Sequence, residues 1–482
     1  MPELSELRGR SVLVTGWGVS GKALIEPLRE LGAIVTVTDG GAAARAEADE
    51  LGLRTAVPDD LTAPGALDEF VLVITSPGWR AESPVLRAAA ERGLPIWGDV
   101  EFSWRVDQAE LYGPVRRWLV VTGTNGKTTT TSMVASILTA AGIPNAACGN
   151  IGLPVLDALR ATEPRTEVLA VELSSFQLHW APSVHPAAGV VLNIAEDHLD
   201  WHGGMQPYVD AKARALSGTV GVVGLDDVVA ASLAATSPAQ RTVGFRLGEP
   251  AAGELGVRGG VLVDRAFSDE PGAELIADDR ISPQGPAGIM DALAAAAVTR
   301  AIGVAPADVG AGLRSHTVGR HRAELVRELD GVTFIDDSKA TNPHAARSSI
   351  LAHPRVVWLA GGLLKGASVD ELVAEVADRL VAAVLIGQDA TQIAEALARH
   401  APDVPVVSVP AGDDAGVTEV NSSDSIMRVA VRTAARAAAP GDTVLLAPAA
   451  ASLDMFTSYG HRGDSFAAAA AELTPNDLGR TS

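Results

Sequence analysis

Among 482 residues there is one cysteine, Cys148. A single thiol closes no intrachain disulfide and builds no cysteine-based metal site. That usage permits a reducing compartment. Aromatic residues are scarce, at 4%, so Ala, Val and Leu must fill most of the interior. Positive charge is also short: 38 Lys and Arg against 59 Asp and Glu leave a net charge of −21. This argues against a nucleic-acid or anionic-membrane partner, since both need a basic surface. It leaves room for a local phosphate site built from a few cations and backbone N–H groups. The longest apolar runs, such as Ala292–Val298, are too short to span a bilayer. The start, Met-Pro-Glu-Leu-Ser-Glu, is acidic and lacks the apolar core of a secretion signal. A cytoplasmic location is the expectation.

What is present is a regular alternation. Short β-branched runs at Ser11–Thr15, Ile34–Thr38, Val71–Ile74, Leu119–Thr122, Val168–Leu173 and Gly189–Ile194 read as strands. Val356–Ala360, Ala382–Ile386, Val404–Val409 and Thr443–Ala447 follow the same pattern. Their hydrophobicity is continuous rather than alternating, which predicts strands covered on both faces, as in parallel sheets. Ala-rich helical stretches lie between them, so the fold class is α/β. At roughly 100–200 residues per domain, the length suggests about three domains. Breaks near Leu111–Arg117 and Arg314–Arg320 predict domains at 1–115, 116–316 and 317–482. Residues 244–286 are Gly-rich and irregular and predict a small β excursion in the middle domain.

Two glycine loops carry the first chemistry. Gly16-Trp-Gly18-Val-Ser-Gly21 follows one predicted strand and opens a helix in which Leu24, Leu28 and Leu31 share a face, with Pro27 out of place. Such glycines let backbone approach a pyrophosphate at a helix N-terminus. Asp39 ends the next strand, at the spacing of an acid that meets a ribose or similar hydroxyl. The motif does not separate dinucleotides from nucleotide sugars, and an NAD-dependent dehydrogenase is one reading of it. The second loop, Gly123-Thr124-Asn125-Gly126-Lys127-Thr128, again joins a strand to a helix. Its N–H groups suit phosphates, Lys127 suits the β- and γ-phosphates of ATP, and the Thr128 hydroxyl suits Mg²⁺. Val121 stands where the longer phosphate-loop pattern has its first Gly. Taken alone, this loop also fits a nonenzymatic nucleotide switch.

Glu172 follows a predicted strand, where a carboxylate can hold Mg²⁺ directly or through water. Asn193-Ile-Ala-Glu-Asp-His198-Leu-Asp200 offers several metal-ligand types after another strand, or else a solvated acidic turn. Lys212, in a predicted helix over Tyr208–Leu216, reads by itself as a surface lysine.

Together these segments resemble the Mur ligase family, ATP-dependent amide-forming enzymes of peptidoglycan precursor synthesis. The resemblance runs along essentially the whole chain. It includes both loops, Gly149-Asn150-Ile-Gly152, Glu172-Leu-Ser-Ser-Phe-Gln177, Asn193–Asp200, Lys212, His321-Arg322, Asp336–Asn342 and Ala451-Ser-Leu-Asp454. Asp337-Ser-Lys339-Ala-Thr341-Asn342 is similar to the branch that adds D-glutamate to UDP-N-acetylmuramoyl-L-alanine. The resemblance implies a Rossmann-like N-terminal domain, a central P-loop ATPase with a mostly parallel sheet and a Rossmann-like C-terminal domain. It implies that Val19, Ser20, Asp39, Ser76 and Gly78 hold the uridine diphosphate, with Asn150, Ser174 and Gln177 also on the substrate. Gly123–Thr128, Thr129, Asp291, Arg322 and Asp337 would meet ATP. Two Mg²⁺ ions would be served by Thr128, Glu172, His198 and Lys212, the lysine carbamylated, with Lys127, Glu172, His198 and Lys212 as the catalytic set. Lys339, Thr341, Lys365, Ser452, Leu453 and Tyr459 would surround D-glutamate, and a monomer is implied. Departures are Asp291 at a position where the family has Asn, and Tyr459 where Phe is common.

Overall fold

The computed structural model of the chain describes residues 3–161, 163–409 and 423–479. Its strands form three sheets. The first contains β1 (Ser11–Thr15), β2 (Ile34–Thr38), β3 (Arg54–Ala56), β4 (Phe70–Thr75) and β5 (Ile96–Gly98). They lie in the order β3-β2-β1-β4-β5, all pairs parallel. The order reverses between β1 and β4, so the crevice at their carboxyl ends is where ligands of such sheets sit. The Gly16–Gly21 loop and residues 76–78 leave the sheet there.

The second sheet contains β6 (Arg117–Thr122), β7 (Asn145–Gly149), β8 (Val168–Glu172), β9 (Ala188–Val191) and β10 (Val220–Gly224). It continues through β11 (Arg241–Phe245), β12 (Glu254–Arg258), β13 (Val261–Asp264) and β14 (Ala273–Ala277). The order is β14-β13-β12-β11-β10-β9-β6-β8-β7. Pairing is parallel from β7 to β12 and antiparallel through β13 and β14. The expected β excursion is therefore an antiparallel extension of the central sheet. Strand β6 lies between β8 and β9, so the loop after it meets the ends of both.

The third sheet contains β15 (Glu324–Leu329), β16 (Val332–Asp336), β17 (Val356–Gly361), β18 (Leu380–Ile386), β19 (Val406–Ser408) and β20 (Thr443–Leu446). Its order is β15-β16-β20-β17-β18-β19, with only β15 antiparallel. The chain divides into two compact units. One holds residues 1–194 and 199–316, the other residues 195–198 and 317–482.

Continuous β-branched runs do become strands buried on both faces: β8, β9, β10, β17 and β20 have no exposed residue. The interior is largely Ala, Val and Leu, and tryptophan supplies volume at three fully buried positions, Trp97, Trp118 and Trp358. Two of these satisfy their indole N–H inside, Trp118 on Asp107 Oδ2 at 2.9 Å and Trp358 on the Ala447 carbonyl at 2.7 Å, as buried indoles require.

Three sequence expectations change. Val404–Val409 reads as a buried strand, but β19 is exposed at all three positions. Among the described residues it is an edge strand, paired with β18 alone. The predicted helix after Gly21 divides into Val19–Ala23 and Ile25–Glu30. Pro27 then falls in a first turn, where its missing N–H removes no helical bond. Leu24 and Leu28 still share the buried face. The helix expected over Tyr208–Leu216 is Met205–Ala213, closed by a 3-10 turn at Arg214–Leu216. Among the described residues no helix is long and apolar enough to cross a membrane.

Candidate active site

Strand β6 ends at Thr122, and the helix Lys127–Ala140 begins four residues later. Gly126 caps that helix with φ 81°. A Cβ there would lie 2.2 Å from Asp291 Oδ1, so glycine is required for both backbone and space. The loop is gripped from several directions. Asn193, just beyond β9, accepts the Thr124 N–H on its carbonyl and the Asn125 N–H on Oδ1, both at 2.9 Å. The Tyr208 hydroxyl is 2.8 Å from Thr124 Oγ1. Asp291 accepts from Thr130 Oγ1 at 3.1 Å. Lys127 Nζ donates to the carbonyls of Gly123 at 2.9 Å and Thr124 at 2.8 Å. Thr129 lies in the first turn of the helix and is buried.

Lys212 corrects the surface reading. It is 2% exposed, donates to the Gly123 carbonyl at 2.7 Å, and its Nζ lies 4.7 Å from the centre of the Tyr208 ring. The helix Met205–Ala213 turns this residue inward. Burial of a lysine beside a phosphate loop has no stabilising rationale of its own, because the ammonium loses hydration.

Glu172 ends β8 and is 1% exposed. Its two carboxylate oxygens have different partners. Oε2 accepts from Thr128 Oγ1 at 2.7 Å, and Oε1 accepts from Asn150 Nδ2 at 2.8 Å. The Asn150 N–H also donates to the Glu172 carbonyl at 2.8 Å. Asn150 in turn lines a cavity of about 270 Å³ with Val19, Ser20, Pro77, Gly152 and Gln177. One carboxylate therefore links the phosphate loop to a pocket bordered by the first glycine loop and the Gly149–Gly152 segment. Ser174 and Gln177 form a capping box: Ser174 Oγ accepts the Gln177 N–H at 3.2 Å, and Gln177 Oε1 accepts the Ser174 N–H at 3.0 Å.

The first loop is set by packing. A Cβ on Gly21 would lie 1.9 Å from the Gly16 carbonyl oxygen, whereas Gly18 has nothing within 4 Å and stands open. Asp39 is an organiser of this loop, accepting the Trp17 and Gly41 N–H groups, each at 2.8 Å. Ser76 donates to the Gly16 carbonyl at 3.4 Å.

In the second unit, loops from the ends of β16, β17 and β20 are drawn together by Arg462, 1% exposed. Its guanidinium donates to Ser338 Oγ (3.0 Å) and to the carbonyls of Ser338 (2.9 Å), Gly361 (3.3 Å) and Ala450 (3.1 Å). Burial lowers its pKa to about 10. Those loops carry Lys339 and Thr341, Lys365, and Ser452 and Leu453. Lys339 Nζ sits 4.0 Å from the centre of the Tyr459 ring. Ser452 is buried, and Leu453 is 69% exposed. Lys365 has φ 54°. Asp337 is half-buried, and loss of hydration pushes its carboxyl up to about 6, opposed by Ser349, the Ala323 N–H and the Arg322 charge. Beside it His321 Nδ1 meets Asp336 Oδ2 at 2.6 Å. His198, at φ 54° and 3.5 Å from Asp197, is grouped with this second unit.

A Mur ligase middle-domain model matches residues 121–261, and a Mur ligase glutamate-ligase-domain model matches residues 321–450. The UDP-N-acetylmuramoylalanine–D-glutamate ligase of Rhodococcus jostii is 68% identical over 99% of this chain and 98% of its own. The enzyme of the same name from Mycolicibacterium smegmatis is 57% identical over 96% of each chain. The chain belongs to the Mur ligase family. Two solved structures share the fold. UDP-N-acetylmuramate–alanine ligase of Thermotoga maritima aligns with TM-score 0.56 at 16% identity, covering 96% of this chain and 99% of that one. A type C pseudomurein peptide ligase of Methanothermus fervidus aligns with TM-score 0.56 at 18% identity, covering 96% and 100%.

Set in this Mur ligase, the sequence-predicted residues Gly123–Thr129, Glu172, Lys212 and Asp291 gather at the phosphate loop. Val19, Ser20, Asn150 and Gln177 gather at the cavity. Sequence reasoning gave no role of their own to Tyr208 and Arg462 and placed Asn193 only in a candidate metal segment, whereas all three hold loops of the site. Arg462 had a signal, a lone arginine amid the matching C-terminal residues, but its four acceptors are mostly backbone carbonyls with no sequence signature.

Proposed function

We propose that this chain uses ATP to join D-glutamate to UDP-N-acetylmuramoyl-L-alanine in peptidoglycan precursor synthesis. The observation that supports it most is Glu172, which ties the phosphate loop to the substrate cavity through Thr128 and Asn150. ATP and the carboxylate it activates then share one wall. The relatives' names supply the identity of the two substrates.

The terminal L-alanine carboxylate attacks the γ-phosphate of ATP and gives an acyl phosphate. The amine of D-glutamate then attacks the acyl carbon, phosphate leaves, and the amide forms. Lys127 leaves the loop carbonyls and offsets charge on the phosphates. The Thr128 hydroxyl and the buried Glu172 carboxylate are hard oxygen donors that fit Mg²⁺. Thr128 and Glu172 would hold Mg²⁺ there, and the ion would supply charge neutralisation for the phosphates. A second ion would be served by His198 and Lys212, the lysine carrying a carbamate, which replaces a buried cation with two oxygen ligands. Lys339, Thr341, Lys365, Ser452, Leu453 and Tyr459 would receive D-glutamate, with Arg322 and Asp337 reaching ATP. We place domain limits at 1–115, 116–316 and 317–482 and expect a cytoplasmic monomer.

The test is phosphate release by purified protein with ATP and Mg²⁺. Release should require UDP-N-acetylmuramoyl-L-alanine and D-glutamate together. Equal release without D-glutamate, or with L-glutamate in its place, would overturn the assignment.

A further inference from the structure

Asp389 follows β18 and stands at the N-cap of the helix Ala390–His400. An Asp there ordinarily accepts from the first free N–H groups of its helix. This one makes no side-chain cap bond. Its Oδ2 instead accepts the Leu364 N–H at 2.8 Å, across 25 residues, and its Oδ1 accepts from Gln392 Nε2 at 3.0 Å. The Asp389 N–H donates to the Gly362 carbonyl at 3.1 Å. An acid at a helix start is thus turned away from the N–H groups of its own helix and onto the loop that leaves β17.

That loop carries Lys365. Residues 362–364 are held alternately from two sides. Asp389 takes positions 362 and 364. Position 363 is taken by Ala451, which exchanges backbone bonds with Leu363 in both directions, each 2.9 Å. Lys365 follows at φ 54° and Gly366 at φ 80°. A lysine in left-handed backbone is held there at a cost, which the residues around it must impose. The packing leaves no slack. A Cβ on Gly361 would lie 1.8 Å from the Ile386 carbonyl oxygen, and one on Gly387 would lie 2.6 Å from the Gly362 nitrogen. Ser452 follows Ala451 directly, so the same clasp sets Lys365 against Ser452.

We propose that Asp389 is a positioning residue of the amino-acid site, fixing where Lys365 projects relative to Ser452 so that the pair takes up the carboxylates of D-glutamate. Lys365 offers an ammonium and Ser452 a hydroxyl, both donors that suit carboxylate oxygens. Their spacing is set by backbone bonds behind them. Leu364 is 5% exposed. Without Asp389 its N–H loses its partner in a place nearly closed to water, and the loop relaxes next to Lys365. Asp389 acts through that loop and does not itself meet the substrate. The role rests on the ligase reading above.

Steady-state kinetics of phosphate release separates this role from plain stability. Asp389→Ala should raise the KM for D-glutamate by about tenfold, the scale of one buried N–H left without a partner. The KM values for ATP and for UDP-N-acetylmuramoyl-L-alanine should stay within about twofold, since their sites are independent of this loop. Asp389→Asn should recover most of the loss. Its amide oxygen still accepts from Leu364, and Gln392 can turn its own amide to meet the new N–H groups. Adding Asp389→Ala to Lys365→Ala should cost little beyond Lys365→Ala alone, because one acts through the other. An unchanged KM for D-glutamate in Asp389→Ala, a rise shared equally by all three substrates, or full additivity with Lys365→Ala overturns the role. If the unaltered protein does not respond to D-glutamate, the ligase reading falls and takes the role with it. Should Asp389→Ala fail to fold, Asp389→Ser carries the same test, because serine suits the start of a helix but is too short to reach Leu364.

Discussion

The Gly16–Gly21 and Gly123–Thr128 loops both follow a buried parallel strand and both open a helix, yet they are held differently. The first is shaped mainly by its own glycines, by Asp39 and by Ser76, and its middle glycine faces open space. The second is clamped by Asn193, Tyr208, Asp291 and two lysines. In the ligase reading the difference follows from the work of each loop. A pyrophosphate that is carried through unreacted needs only backbone donors and access. A phosphoryl group that is transferred needs charge fixed in place before the reaction begins.

The contrast can be broken experimentally, starting with the charges. Lys127→Ala should lower kcat for phosphate release by about 10²–10³-fold, with binding of the UDP-linked substrate by calorimetry nearly unchanged. An equal loss of both would mean that the loops are not separate in function. Lys212→Ala should cost roughly 10–100-fold in kcat, the scale of a lost ligand-supporting group. Short carboxylic acids should restore part of it if a carbamate supplies the oxygens. Full activity without additive would remove the lysine from the mechanism.

Glycine replacements sharpen the comparison further. Gly126→Ala must accept φ 81° and a contact of 2.2 Å with Asp291, which should destabilise the protein by about 1–3 kcal/mol in urea unfolding. Gly18→Ala meets nothing within 4 Å, so its unfolding midpoint should match the unaltered protein. An equal loss at both positions would show that the first loop is as tightly constrained as the second.

A pH-dependent effect lies behind the first loop. Asp99 has its carboxyl raised from 3.8 to about 6 in the folded state. The folded protein therefore holds this proton more tightly than the unfolded chain, and stability from Asp99 is lost as pH rises from about 4 to 6. The loss is at most about 3 kcal/mol. Asp99→Asn should be more resistant to urea than the unaltered protein at pH 7.5, and the gap should close by pH 4. A gap that does not change with pH would show that Asp99 does not titrate in this window.

Much of this was legible before any tertiary contact was known. The β-branched runs foretold strands buried on both faces, and each glycine loop foretold its strand and helix. Glu172 was recognisable because it ends a buried strand beside the phosphate loop. Lys212 was recognisable only through the family resemblance, since a helix containing Tyr208, Val209 and Asp210 offers no local reason to bury an ammonium. Asp99 carried no signal, because an acid at the first position of a helix is ordinary there.

The division has a physical cause. Local order came from the sequence alone, because dihedral preference and the period of apolar residues act over a few neighbours. The family likewise came from short ordered motifs. The tertiary structure alone decided which polar atoms meet. Lys212 reaches a carbonyl 89 residues away, Thr130 reaches Asp291 across 161 residues, and Arg462 reaches Ser338 across 124. Such pairs form only when separate strands end at the same edge of a sheet, and no local pattern records that meeting.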